Sequence, residues 1–195
     1  MDIASIDQEI FVLINERVGL YIWLDNMASL IVSDYLIPVS FSLLLLSLWM
    51  GWKDDNMRYR NQLGVLLSIF GVITANAIVK LMNLIFFRPR PFDALDVNLL
   101  FYMPTDSSFP SNPTAVAFAL ATGLFNINKT LGTLMYLLSI LYGFSRVYAG
   151  VCYPTDIIAG MSIGILSVVA VKILFVYMNW IPSLILKQAR NLYIA

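Results

Sequence analysis

The chain contains no histidine and a single cysteine in 195 residues. A zinc, copper or bis-histidine haem site made from protein ligands alone is therefore excluded. The lone Cys152 also rules out an internal disulfide. Charge is scarce as well: 12 basic and 12 acidic residues cancel to a net charge of zero. That balance leaves no basic surface of the kind nucleic acid requires. No internal repeat and no low-complexity tract interrupts the sequence. The opening residues, Met1-Asp2-Ile3-Ala4, carry no basic n-region and no small-residue cleavage site, so no secretory signal is expected.

What is present is apolar. Hydrophobic residues make up 59 % of the chain and charged residues 12 %, and the mean hydropathy is +0.79. This exceeds the range of ordinary soluble domains. The length suits a single domain over residues 1–195, with room in a membrane for about five or six spans of roughly 20 residues each. Four Trp and ten Tyr would suit the two membrane interfaces. The expected class is an all-α polytopic membrane helix bundle.

Residues 5–16 alternate Ile6, Ile10, Phe11, Leu13 and Ile14 with Asp7, Glu9, Asn15 and Glu16, as an amphipathic interfacial helix does. Residues 20–33 are apolar but broken by Asp25-Asn26, which fits a short buried or interfacial helix or a weak first span. Residues 1–34 therefore form an N-terminal section of short helices. The membrane core is expected over 35–178, with spans at 35–52, 62–87, 114–127, 130–148 and 157–178. Between them lie a polar loop at 53–60 and a long stretch from Arg88 to Pro113 rich in Pro, Asp and Ser. Residues 179–195, with Pro182, Lys187 and Arg190, read as an interfacial tail.

Charge orients this arrangement. Alternating spans place loop 53–60, residues 128–129 and the C-terminus on one side, together with Lys53, Arg58, Arg60, Lys129, Lys187 and Arg190. The other side holds the N-terminal section and the loops 88–112 and 149–155, with Arg17, Arg88, Arg90 and Arg146 as its basic residues. The positive-inside rule makes the first side cytoplasmic.

Three segments on the extracytoplasmic side stand out. They are Lys80-Leu81-Met82-Asn83-Leu84-Ile85-Phe86-Phe87-Arg88-Pro89-Arg90-Pro91-Phe92, Asp106-Ser107-Ser108-Phe109-Pro110-Ser111-Asn112-Pro113-Thr114, and Ser145-Arg146-Val147-Tyr148-Ala149-Gly150-Val151-Cys152-Tyr153-Pro154-Thr155-Asp156. Arginines and a lysine near a span end are donors suited to a phosphate. In order and spacing these segments resemble the signature of the type 2 phosphatidic acid phosphatase (PAP2) superfamily of membrane lipid phosphatases. They are most similar to its branch of small bacterial undecaprenyl-diphosphate phosphatases, and the resemblance covers roughly residues 5–178.

The resemblance implies a six-helix-type bundle in a prokaryotic cytoplasmic membrane, with no metal or other cofactor. It implies a phosphate pocket formed by Arg88, Arg90, Ser111, Asn112 and Arg146, with Lys80 reaching in from one helical turn before the family's lysine position, which is occupied by Asn83. Family members read Pro-Ser-x-His and Ser-Arg-x5-His-x3-Asp, and here Pro113 and Cys152 stand at the two histidine positions. In the family the first histidine protonates the leaving oxygen. Pro113 cannot, although proline suits a helix's first turn. The second is the nucleophile, oriented by an aspartate at the position of Asp156. Two functions follow as expectations. One is a catalytically silent homologue that binds a polyprenyl or phospholipid phosphate, or serves as a structural subunit of a membrane complex. The other is an active lipid phosphatase with Cys152 as nucleophile, since a thiolate near cations can attack phosphorus. An alternative for Cys152 itself is a small, inert, buried residue.

Overall fold

The computed structural model describes residues 3–50 and 54–191. Among these residues there is no strand, and the helices run α1 (Ile3–Asn15), α2 (Ile22–Ile31), α3 (Leu36–Met50), α4 (Asp55–Ile85), α5 (Pro91–Ala94), α6 (Asn112–Phe125), α7 (Lys129–Tyr148), α8 (Pro154–Tyr177) and α9 (Trp180–Asn191). The protein is an all-α membrane helix bundle.

Local chemistry sets several helix starts. The Asp54 carboxylate accepts the Asn56 N–H at 2.9 Å and begins α4. The Asn128 side chain accepts the Leu131 N–H at 3.0 Å and begins α7. In α8, Pro154 fills the first turn, where a missing N–H costs nothing, and the Asp156 carboxylate accepts the Tyr153 N–H at 2.8 Å. Pro113 occupies the same kind of position in the first turn of α6.

Helix α6 is the axis of the bundle and packs against α3, α4, α7 and α8. It is apolar on all sides and runs through Thr114, Ala115, Ala117, Ala119, Ala121 and Gly123, all buried. Such small residues let helix backbones approach closely, the usual basis of packing where lipid removes the hydrophobic drive between helices. A Cβ on Gly164 of α8 would lie 2.4 Å from the Ala115 carbonyl oxygen, and one on Gly123 would lie 2.7 Å from the Ser68 backbone of α4. Larger side chains fill the flanks, with Phe41, Leu124, Met135 and Tyr142 in one cluster and Leu66, Val168 and Phe175 in another. The outer surface carries exposed Leu43, Leu46, Leu81, Leu84, Leu137, Ile140, Leu166 and Ile173, a lipid-facing belt.

Helices α4 and α8 are long and apolar enough to cross a membrane, and α2 with α3 forms a third candidate bent by 50°. At 14 residues α6 is a shorter apolar helix, about 21 Å long. By length and composition the spans therefore number two or three among the described residues, fewer than the five or six that total length permits. Two expected boundaries move. Most of the stretch read as a polar loop at 53–60 belongs to α4 from Asp55 onward, because the Asp54 cap starts the helix well before the apolar run; residue 53 lies outside the described residues. The tail from 179 contains the helix α9, buried at Pro182 and Leu186, while residues 192–195 lie outside the described residues.

Candidate functional site

The segment after α4, the loop entering α6 and the α7–α8 junction meet at one end of the bundle, and Asp156 is where they join. Its carboxylate is 0 % exposed. One oxygen accepts Arg88 Nη1 at 2.6 Å, and the other accepts the Ser108 hydroxyl and the Tyr153 N–H. The Asp156 carbonyl accepts the Ser111 N–H at 3.1 Å. Arg88 also donates to Thr155 Oγ1 at 2.8 Å and to Asp7 of α1 at 2.6 Å, and its guanidinium stacks 4.1 Å from the centre of the Tyr153 ring. Burial alone would lower the Arg88 pKa, but the hydrogen bond and charge of Asp7 and the charge of Asp156 outweigh it and hold it above its ordinary value. Arg88 thus serves as an internal tie between three parts of the chain.

Arg90 and Arg146 lie beside a separate cleft of about 280 Å³ that Asp34, Tyr102, Asn112 and Pro113 also line. Both guanidinium groups are buried, and each meets a more exposed carboxylate. Arg90 Nη2 donates to Asp106 at 2.7 Å, and that carboxylate is 59 % exposed. Arg146 Nη1 donates to Asp34 at 2.9 Å, and that carboxylate is 30 % exposed. Asp34 also accepts the Tyr102 hydroxyl at 2.6 Å, a bond that pushes the Tyr102 pKa up. Arg146 Nε and Asn112 Oδ1 are buried without a hydrogen-bond partner among the described residues. A cleft with a spare guanidinium donor, and with counter-charges on displaceable exposed side chains, can accept an anion.

The other expected residues distribute as follows. Ser111 is buried with its hydroxyl 2.9 Å from Thr114 Oγ1. Cys152 is 1 % exposed, packs with Val32, Ala149 and Val151, and does not line the cleft. Its Sγ lies 3.6 Å from Arg90 Nη1, which also donates to the Val151 carbonyl at 2.7 Å. Among the described residues no hydrogen bond joins Cys152 to Asp156. Lys80 points to the exposed surface and does not line the cleft. At the neighbouring Asn83, Oδ1 is buried without a partner. No group of three acidic or cysteine side chains converges as metal ligands would, among the described residues.

Sequence reading missed the carboxylates that complete this end: Asp7, Asp34 and Asp106 as arginine partners, and Asp25, which accepts the Tyr148 hydroxyl at 2.7 Å. It also missed Asn15, whose amide donates to the carbonyls of Asn98 at 2.9 Å and Tyr148 at 3.0 Å. Asp25 carried a signal, a charge interrupting an apolar run. Asp7 and Asn15 looked like the polar face of a surface helix and carried none.

Fold and site together define a membrane helix bundle with an arginine-lined cleft at one end. The chain belongs to the PAP2 superfamily, whose sequence pattern matches residues 64–180. It is 30 % identical over 135 residues, 69 % of this chain and 67 % of the relative, to the undecaprenyl-diphosphatase BcrC of Bacillus subtilis (strain 168). The crystal structure of Aquifex aeolicus LpxE superposes with a TM-score of 0.65 and 32 % identity, covering 83 % of this chain and 92 % of that one. A transmembrane PAP2-type phosphatidylglycerolphosphate phosphatase from Bacillus subtilis superposes with a TM-score of 0.67 over 90 % of this chain and 87 % of that one. At 22 % identity, this last likeness concerns the fold.

Proposed function

We propose that this chain is a PAP2 protein that binds a lipid phosphate at the Arg90–Arg146 cleft without hydrolysing it. One observation carries the reading. Asp156, the carboxylate expected to orient a nucleophile, is wholly engaged by Arg88, Ser108 and the Tyr153 N–H, while Cys152 is buried behind Arg90 and is not among the residues lining the cleft. Pro113 lines the cleft but has no proton to give a leaving group. General acid–base catalysis contributes about 10²–10⁴-fold in rate, so losing it is a large handicap. An incoming phosphate would exchange with the Asp34 and Asp106 carboxylates and take up the free Arg146 Nε. A polyprenyl phosphate is the first ligand to try, given the relative named undecaprenyl-diphosphatase. In this reading residues 1–195 act as one domain in a prokaryotic cytoplasmic membrane, with the cleft on the extracytoplasmic side.

A second reading rests on the Arg90 guanidinium 3.6 Å from Cys152 Sγ. A cation beside a thiol favours nucleophilic use of the sulfur. The sulfur would attack the terminal phosphorus of a diphosphate, and the lipid monophosphate would leave. The deciding assay is phosphate release from undecaprenyl diphosphate and from phosphatidate by the purified protein and by Cys152→Ser. No release from either protein, with undecaprenyl phosphate retained by the native chain and lost in Arg90→Glu, supports the silent reading. Release that vanishes in Cys152→Ser establishes the second reading. Release that persists in Cys152→Ser defeats both.

A further inference from the structure

A cavity of about 500 Å³ lies at the opposite end of the bundle from the arginine cleft. Its polar wall includes Arg60 near the start of α4, Asn126 at the end of α6, Lys172 in α8 and Asn179 between α8 and α9. Leu67 and Phe175 form part of its apolar wall. Among the described residues no aspartate or glutamate lines it. Lys172 Nζ donates to the neutral Asn126 Oδ1 at 2.7 Å, and the Arg60 side chain forms no ion pair or hydrogen bond among the described residues. Asp54 and Asp55 stand at the start of α4 but do not line the cavity. From Arg60 to the end of α4 at Ile85 the helix rises roughly 38 Å at about 1.5 Å per residue, so the two sites face different membrane surfaces.

We propose that this cavity binds the headgroup of an anionic phospholipid. Arg60 and Lys172 hold the phosphate, and acyl chains leave along the apolar wall. Three features select this ligand. Two cations converge without a carboxylate between them, so the charge is left for something outside the chain. Asn179 beside them supplies a further amide donor to phosphate oxygens, while Asn126 positions Lys172 and is itself held by the Thr122 carbonyl. Val176, which lines the cavity, is exposed together with Tyr177 and Trp180, so the polar end opens beside a lipid-facing surface carrying an interfacial aromatic anchor. Basic residues at a membrane face are ordinary in themselves. Their convergence in an acid-free cavity with an apolar exit is what a phospholipid requires and what a free phosphate would fill only in part.

The test uses the full chain in detergent with added phosphatidylglycerol, phosphatidylcholine or inorganic phosphate, read by native mass spectrometry and by melting temperature. Phosphatidylglycerol is expected to remain bound and to raise the melting temperature more than phosphatidylcholine does. The double variant Arg60→Gln/Lys172→Gln is expected to weaken that retention at least about tenfold, since it removes both charged donors to the phosphate. Arg17→Gln, which removes an exposed cation at the other end of the bundle, should leave it intact. Asn179→Asp, at an exposed rim position, places a carboxylate beside the cations and should weaken retention even if the double variant folds poorly. Full retention by the double variant, or by Asn179→Asp if the double variant does not fold, overturns the proposal. So does an equal loss in Arg17→Gln, or equal stabilisation by inorganic phosphate. Because undecaprenyl phosphate is not the probe, failure at the arginine cleft and failure here are read separately.

Discussion

The two ends of this bundle handle their cations in opposite ways. At the motif end Arg88, Arg90 and Arg146 each meet a carboxylate, drawn from Asp7, Asp156, Asp106 and Asp34. At the other end Arg60 and Lys172 face a cavity with no acid. A buried guanidinium is costly unless paired, so the motif end is held together by its own counter-charges. Exposed cations such as Arg60 and Lys172 carry no such requirement. Within the motif end a second contrast appears. The partners of Arg88 are both buried, whereas those of Arg90 and Arg146 reach solvent. The Arg88 pairs are closed to solvent on the carboxylate side, and the other two pairs are open on that side.

The strongest way to break this contrast is Asp156→Ala. It strands Arg88, the Ser108 hydroxyl and the Tyr153 N–H together, and removing one partner of a buried pair costs about 3–5 kcal/mol. Thermal denaturation in detergent should show this as a large fall in melting temperature. An unchanged midpoint would mean that Asp156 is not the joint of this end. Gly164→Ala should follow, because its methyl would enter the Ala115 carbonyl oxygen at 2.4 Å and push α8 off α6. Overpacking of this kind costs about 1–3 kcal/mol. The same denaturation measurement applies, and a stabilised variant would contradict the close helix approach.

Asn15→Ala tests how the N-terminal helices are tied to the motif end. It leaves the Tyr148 and Asn98 carbonyls and the Asn98 N–H without their partner, a cost of about 1–3 kcal/mol. Hydrogen exchange should rise first in α1 and in the loop around Asn98. Exchange rising uniformly through the bundle would show that α1 is not a separable unit. The smallest effect is expected for Lys80→Ala. Lys80 is exposed and away from the cleft, so both melting temperature and undecaprenyl phosphate retention should match the native chain. A clear loss of retention would place its side chain in the ligand's path.

Much of the architecture was legible in the residues. The apolar runs located α3, α6, α7 and α8 to within a few residues, and alternating spans grouped the three motif segments that meet at one end of the bundle. Boundaries that depended on a single cap were less visible. Asp54 extends α4 back through a stretch whose composition looked like a loop. The site was legible in its cations and silent on its anions, because Asp34 and Asp106 sit in connecting segments where any polar residue is unremarkable.

By itself the sequence determined the membrane character, the family and the absence of any histidine chemistry, since these follow from residue type and order along the chain. Only the tertiary structure decided which arginine meets buried carboxylates and which meets solvent-exposed ones. It also placed Cys152 under cover and left two cations of separate helices facing one cavity. Those outcomes depend on which side chains from distant segments arrive within about 3 Å of one another. Burial and pairing at that range set the energy of a charge, and neither is written in the local pattern.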